Sequence, residues 1–443
     1  MLLKFWGVRG SIPAPVSPLR VRDKVSTVLR EAVKHGINLA DQQAINRFLA
    51  ALPQGIVSTV GGNTTCITAE TDQGLIIFDA GSGMRELGAH LMAREFGQGK
   101  GHATIFFTHT HWDHIQGLPF FTPIYVPGNT FDVYHVHPYV PEVLRQQMTF
   151  RVFPALFDDL PSTLRFHRIS EGEQVEVAGV KISNIELQHP GKAYAYRIES
   201  EQADIVLATD GEYKKLDASH TKRYIDFYAK ADVLIFDAQF SVRDSIIRED
   251  WGHSSALIGA DIGREAQVRR LVLFHHDPTS TDEEIMAVLE ATNEYLAQDS
   301  GKSPMEVIVA QEGMEIDLRP ALSFGIEEHI VGDTVHLALN GRFGAQATEE
   351  FRHHLEHSLQ NYDTDKVILI MRDLNELTVA GIRALLDVRK NAFSMAIVEL
   401  PEKIYRVLEL SGTTDFFAIY ENVDAAMNAL AGNNAHTRQN VSH

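Results

Sequence analysis

Over residues 1 to 318 the apolar positions fall in short runs closed by Gly, Asp or His: TCITAE, LIIFDAG, ATIFFTH, FDVYHVH, VKISNIELQH, ADIVLATD, VLIFDAQ and RRLVLFHH. Runs of this length, rich in β-branched and aromatic residues and bounded by turn formers, predict strands. Two layers of sheet are expected from them. Residues 17–56 break the rhythm, because PLRVRDKVSTVLREAVKHG and DQQAINRFLAAL place apolar residues at helical spacing, with Asp41 positioned as an N-cap. This segment reads as an inserted helical pair, either a lid over a site or, more commonly, packing decoration.

RPALSFGIEEHI, residues 319–330, reads as a linker, after which the pattern changes. TVHLALNGRF, ATEEFRHHLEHSLQ, KVILIMRDLN, VAGIRALLDVRKN, MAIVELP, KIYRVLELSG, FFAIYEN and VDAAMNALAG alternate strand and helix over residues 331–430. That is the size of one small α/β domain. The polar residues 431–443 are expected to form a flexible tail.

Composition narrows the function classes. A chain of 443 residues, 44% hydrophobic and 22% charged, is globular and suits two domains. With 59 acidic against 40 basic residues its formal charge is −19, which repels phosphate backbones and weighs against nucleic acid as a partner. A small anionic substrate remains open, since a bound dication reverses the local sign. The single cysteine, Cys66, permits neither an internal disulfide nor a thiolate zinc cluster and reads as a small buried hydrophobe. No apolar window approaches the ~20 residues of a membrane span, and MLLKFWGVRGSIPAP lacks an apolar stretch of signal length, so a cytoplasmic protein without a membrane partner is expected.

The chemistry concentrates in FFTHTHWDHIQG, residues 106–117. His109 and His111, two apart beyond a strand, can aim at one point while Trp112 points elsewhere. A turn over Trp112 to Ile115 then brings Asp113 and His114 to a second point. Four ligands from one loop can thus serve two metals, and imidazole with carboxylate suits zinc, with iron or manganese also acceptable. Three further runs end in ligand-type residues, at His189, at Asp210, and at His275 and His276. Ligands on strand ends from distant segments can converge on one rim. In VYHVHP, by contrast, His135 and His137 are followed by Pro138 and no Asp-His, which marks a structural or pocket-lining pair. His353, His354 and His357 fall on a predicted helix, where a solvated face is the expectation.

THTHWDH resembles the His-x-His-x-Asp-His signature of the metallo-β-lactamase superfamily, and FDAGSG, QHPG, ATDGEY and LFHHDP follow in that family's order. FWGVRGSIPAP and GGNTT resemble the branch near ribonuclease Z and cyclic-nucleotide phosphodiesterases, and WGHSS resembles the Gly-His-Ser-Thr element of ribonuclease Z. The resemblance implies an α/β chain whose residues 1–318 form a four-layer αββα sandwich. It implies one zinc on His109, His111 and His189, a second on Asp113, His114 and His275, and Asp210 bridging. His275 is preferred to His276 because it ends the strand. Asp79 would orient ligand imidazoles. Asp113 and His253 would be the catalytic residues, His253 lying by the leaving group, and Arg9, Ser11, Asn63 and Thr64 would be substrate-binding donors. A di-zinc centre lowers the pKa of a shared water and supplies a nucleophile near neutral pH.

The implied function is a phosphodiesterase acting on a small nucleotide or related diester. Its alternatives are a lactone or ester hydrolase of the same fold, or a non-catalytic ligand sensor. An intact His111 argues against flavo-diiron redox use, and the acidic surface argues against transfer-RNA processing. Residues 331–430 resemble the STAS domain of anti-sigma-factor antagonists, implying regulation, a protein partner or self-association. That family carries Asp-Ser-Ser-Gly before its helix, where this chain has Thr378, Val379, Ala380 and Gly381. Ala380 cannot carry a phosphate, and Thr378 is expected to cap the helix.

Overall fold

Side chains alternate across each strand, and the two faces find different partners. In His102–Phe107, Phe106 packs with Phe5, Phe78, Tyr196 and Phe274, whereas Ile105 and Phe107 pack with Met84, Leu87 and Phe121. In Arg270–Phe274, Val272 and Phe274 join the first of these clusters, while Leu271 and Leu273 meet Ile258 and Ile262. One core therefore lies between two sheets, and a further core lies on the outer face of each.

In this computed structural model, which describes residues 1–298, 305–318, 324–390 and 394–432, the chain divides into two units, Met1–Leu318 and Arg319–His443. The first unit has two seven-stranded sheets. One runs, in spatial order, Glu315–Asp317, Leu2–Gly7, Cys66–Thr71, Gly74–Phe78, His102–Phe107, Thr130–His135 and Thr163–Arg168. The other runs Glu306–Val309, Arg270–Phe274, Val233–Asp237, Asp204–Ala208, Ala193–Glu199, Val180–Leu187 and Val175–Val177. Leu2–Gly7, Gly74–Phe78 and His102–Phe107 point the same way within the first sheet. Val180–Leu187, Asp204–Ala208, Val233–Asp237 and Arg270–Phe274 do so within the second. Helix Met84–Met92 covers the first sheet, and Ala218–Tyr228, Ala256–Glu265 and Asp282–Ala297 cover the second, completing four αββα layers.

The eight runs singled out by pattern are all strands. Ala193–Glu199, Thr163–Arg168 and the short edge strands carry weaker signals and emerge only through pairing. The expected helical pair of residues 17–56 is present as Pro18–Lys34 and Gln42–Ala51, with Ser17 and Asp41 as N-caps, and is followed by a third, short helix, Gln54–Val57. Lys24 ties them to the body of the unit through an ion pair of 3.0 Å with Asp282.

The second unit has a sheet ordered Gly325–Val331, Thr334–Phe343, Lys366–Ile370, Ser394–Val398 and Ala418–Tyr420, with Leu374–Leu377 also paired to Thr334–Phe343. Helices Thr348–Asn361, Val379–Lys390 and Glu402–Leu410 pack on one core cluster of this sheet, and Val423–Gly432 on the other. The linker expectation for 319–330 needs correcting, because Gly325–Val331 is an edge strand in a hairpin with Thr334–Phe343. One-sided burial leaves its pattern mostly polar, and only pairing reveals it. Residues 319–323, and 433–443 of the expected tail, lie outside the described residues.

Phe106, wholly buried and in ring contact with Phe78, Tyr134 and Tyr196, links the faces of the two sheets. Phe106→Ala is expected to cost about 3–5 kcal/mol of stability, read as a fall in the urea midpoint followed by tryptophan emission.

Candidate metal centre

Each ligand-type residue follows a strand pointing toward one rim. His109 follows His102–Phe107, His189 follows Val180–Leu187, Asp210 follows Asp204–Ala208 and His275 follows Arg270–Phe274. The backbone leaves the strands abruptly, since Asp79, Asp210 and His275 adopt left-handed φ values of 58°, 59° and 59°. Such conformations cost non-glycine residues about 1–3 kcal/mol and persist only where the surroundings hold them. Here rigid strands do so on one side of each turn. Gly10 matters equally, because a Cβ there would fall 2.6 Å from His275 Nδ1.

The geometry resolves into two groups sharing one acid. His109, His111 and His189 form the first, with His111 Nδ1 and His189 Nε2 2.9 Å apart. Asp113, His114, Asp210 and His275 form the second, all buried. Asp210 spans both: Oδ1 lies 4.0 Å from His109 Nε2 and 3.9 Å from His189 Nε2, while Oδ2 lies 3.1 Å from His114 Nε2 and 3.4 Å from His275 Nε2. Asp113 Oδ2 completes the second group at 3.4 Å from His114 and 3.2 Å from His275.

The donor set fits divalent metal. His109 Nε2 and His114 Nε2 are buried and lack a hydrogen-bond partner, an expensive state for imidazole nitrogens unless a ligand takes their lone pairs. Burial pushes His109 well below the usual imidazole range and His189 down to about 4, which keeps both neutral and able to coordinate. For Asp113 and Asp210 burial works toward neutrality, but His114 and His275 outweigh it and hold both carboxylates well below their ordinary range.

The ligand rings are held from behind. Asp79 Oδ2 sits 2.7 Å from His114 Nδ1, and its carboxylate also receives the Thr108 amide at 2.8 Å and hydroxyl at 2.7 Å. His189 Nδ1 donates to Gly252 O at 2.9 Å. Asp237, which the sequence reading left unassigned, ends the strand Val233–Asp237 and faces His253 Nδ1 at 2.9 Å and His275 Nδ1 at 3.4 Å. Burial raises it, but His253 and His275 overcome that and hold its carboxyl at about 2. Its signal was an acid closing an apolar run, as at Asp79 and Asp210. His253 itself lies between the two groups, its Nδ1 3.9 Å from Asp210 Oδ1 and its ring 5.4 Å from that of His189 and 5.2 Å from that of His275, so that with Asp210, Asp237 and His275 it makes a third, overlapping set of ligand-type residues.

The four expected substrate donors separate. Ser11 lies against the cage, donating its amide to Asp113 Oδ2 at 2.7 Å and receiving Gln239 Nε2 on its hydroxyl at 3.2 Å. The other three are employed elsewhere. Arg9 is buried, with its guanidinium bonded to the carbonyls of Gly61, Asp277 and Ser280 at 2.9 Å and 3.8 Å from Asp282. The Asn63 side chain binds Glu312 and Ser82, and Thr64 Oγ1 accepts from Ser82 N and Gln116 Nε2. His276 Nε2 donates to Ala310 O at 3.0 Å, away from the ligands, and His135 and His137 bond the carbonyls of His137 and Lys192.

Residues 75–276 match the family model described as beta-lactamase superfamily domain, and residues 326–426 match the STAS domain model. The chain carries a beta-lactamase superfamily domain and a STAS domain. Ribonuclease Z of Archaeoglobus fulgidus is 26% identical over 268 residues, spanning 50% of this chain and 84% of that protein. Among solved structures, the metallo-beta-lactamase fold protein YhfI of Bacillus subtilis aligns with a TM-score of 0.47 and 16% identity over 71% of this chain and 98% of its own. The anti-sigma factor antagonist SpoIIAA in its unphosphorylated form aligns with a TM-score of 0.22 and 16% identity over 24% of this chain and 97% of its own. In the STAS domain Thr378 Oγ1 receives Gly381 N at 3.4 Å at the start of helix Val379–Lys390.

Removing the carboxylate behind His114 tests how the beta-lactamase superfamily domain holds metal. Asp79→Asn is expected to lower zinc affinity about 10–100-fold in competition with a chromophoric chelator, with the circular dichroism spectrum unchanged.

Proposed function

We propose that this metal-dependent hydrolase is a phosphodiesterase for a small diester, with two divalent ions, zinc by preference, held by His109, His111 and His189 and by Asp113, His114 and His275. The observation that carries this reading is the division of Asp210 between the two histidine groups, one oxygen facing each. Ions bound there supply Lewis acidity and a water of lowered pKa. The protein's own part is to keep the nitrogens of His109 and His189 neutral, fix the rings through Asp79, Asp237 and Gly252, and manage the leaving group's proton.

That last task falls to His253. Asp237 holds its Nδ1 at 2.9 Å, leaving Nε2 as the nitrogen that can pass a proton to an alkoxide oxygen. Ser11, with its amide committed to Asp113, presents its hydroxyl at the edge of the cage for a phosphoryl oxygen. The relatives are named for ribonuclease activity, so a phosphodiester is the natural bond. The charge of −19 and the structural employment of Arg9 support a substrate smaller than a folded RNA. For the STAS domain we propose docking to a protein partner, with Thr378 serving as a helix cap.

Metal-loaded protein is expected to hydrolyse bis(p-nitrophenyl) phosphate, with Asp210→Ala and His111→Ala each losing nearly all turnover. Wild-type rates in either variant, or lactone turnover without diester turnover, would reject the reading. His253→Ala is expected to slow a dinucleoside monophosphate, whose leaving group needs a proton, by about 10²–10⁴-fold. The p-nitrophenyl ester, whose leaving group does not, should suffer far less in the same assay.

A further inference from the structure

An arginine that is only 3% exposed calls for a reason, because a guanidinium is costly to remove from water. Arg9 offsets that cost by aiming its fork at backbone carbonyls. Nε donates to Gly61 O and Nη1 to Asp277 O and Ser280 O, each at 2.9 Å, and Nη2 lies 3.8 Å from Asp282 Oδ1. Asp282 is fixed in turn by the Thr59 hydroxyl and the Val60 amide, both at 3.0 Å. One side chain thus joins two segments far apart in sequence, 59–61 and 277–282.

The backbone at this point is equally committed. Arg9 N donates to Asn63 O at 2.9 Å, while Gly10 N donates to His276 O and His276 N to Val8 O, both at 3.0 Å. Residues 8–10 therefore run between a loop that leads into Cys66–Thr71 of the first sheet and the end of Arg270–Phe274 in the second. The next residues carry that placement to the ligands. Ser11 donates its amide to Asp113 Oδ2 at 2.7 Å, and Gly10 lies so close to His275 that a Cβ would fall 2.6 Å from its Nδ1. Ser11 has φ 63°, which a non-glycine residue keeps only where its surroundings impose it. Asp113 and His275 both belong to the second group of ligand-type residues. Among the described residues, none of residues 8–11 hydrogen-bonds to His109, His111 or His189 of the first.

We infer that Arg9 is a positioning residue for one metal ion of the two: by locking residues 8–11 against the segments at Gly61 and at Asp277 to Ser280, it sets Asp113 and His275 for the ion of the second group and leaves the first group untouched. The inference rests on the two-ion reading above and adds an asymmetry to it. A lysine replaces this clamp only in part, since one ammonium lacks the planar fork that reaches three carbonyls together.

The test is a zinc titration of the full chain in competition with a chromophoric chelator, in which two binding steps are resolved. Arg9→Met is expected to weaken one step about 10–100-fold and to leave the other as it was, with the circular dichroism spectrum unchanged. Arg9→Lys should recover part of the loss. Asp113→Ala should abolish the same step that Arg9→Met weakens, and the double variant should keep the remaining step at full strength. A role in general stability would not divide the two steps in this way. Equal weakening of both steps, no weakening of either, or loss of the remaining step in the double variant overturns the inference. If Arg9→Met does not fold, Arg9→Lys is read in its place, and unfolding of both variants also overturns the inference by making Arg9 a residue of the fold at large. These outcomes leave the two-ion reading standing, whereas an unsubstituted chain that binds fewer than two zinc ions overturns both.

Discussion

A carboxylate with 1% of its surface exposed sits at the centre of the candidate metal site, and the other features of the site follow from the need to surround it. An isolated ionised acid at that depth is prohibitively unstable. Asp210 is tolerable because imidazoles face both its oxygens, and because its amide is itself held by Asp237 Oδ2 at 3.1 Å. The same arrangement favours a bound cation, since the buried His109 Nε2 makes no hydrogen bond and His114 Nε2 faces two carboxylates. Fold and metal are coupled through this residue: the sandwich holds the acid, and the acid defines where positive charge must go.

Convergence is enforced by direction as much as by sequence. Strands that carry Asp79, His109, His189, Asp210, Asp237 and His275 run the same way within their sheets, so their ends share one edge of the sandwich. Left-handed turns at three of these residues redirect the side chains from the sheet faces to the rim. The aromatic core between the sheets pays for that strain by fixing the strands. Behind the ligands, Asp79 and Asp237 act as paired supports, one on each sheet, and Asp237 extends its support to His253. One carboxylate thus orients both His275 and His253 and ties the two rings to a single geometry.

The STAS domain follows separate rules. Its sheet is parallel apart from the hairpin of Gly325–Val331, and helix Val379–Lys390 begins with Thr378 bonded inward to Gly381 and Phe343. Val379, next along, is 79% exposed. Val379 and Ala380 thus place apolar side chains at this helix start, where a phosphorylatable serine would be polar.

The sequence by itself determined what is local. Alternation and turn residues marked the main strands, helical spacing marked the insertion, and an acid or histidine closing an apolar run marked residues that gather at the candidate metal centre, because a strand end fixes where the next side chain can go. Only tertiary structure decided which charged residues share a cavity. Arg9, Asn63 and Thr64 stand in loops near the rim in sequence, yet their polar atoms are satisfied by carbonyls and side chains tens to hundreds of residues away. Asp237 shows the converse, an unremarkable strand end until the fold brings His253 and His275 to it. Edge strand Gly325–Val331 was hidden for a related reason, since backbone pairing rather than side-chain burial holds it. Hydrogen-bond partners distant along the chain leave no periodic trace; motif resemblance implied a bridging place for Asp210, but the distances that set one oxygen toward each group of histidines come from the packed sandwich.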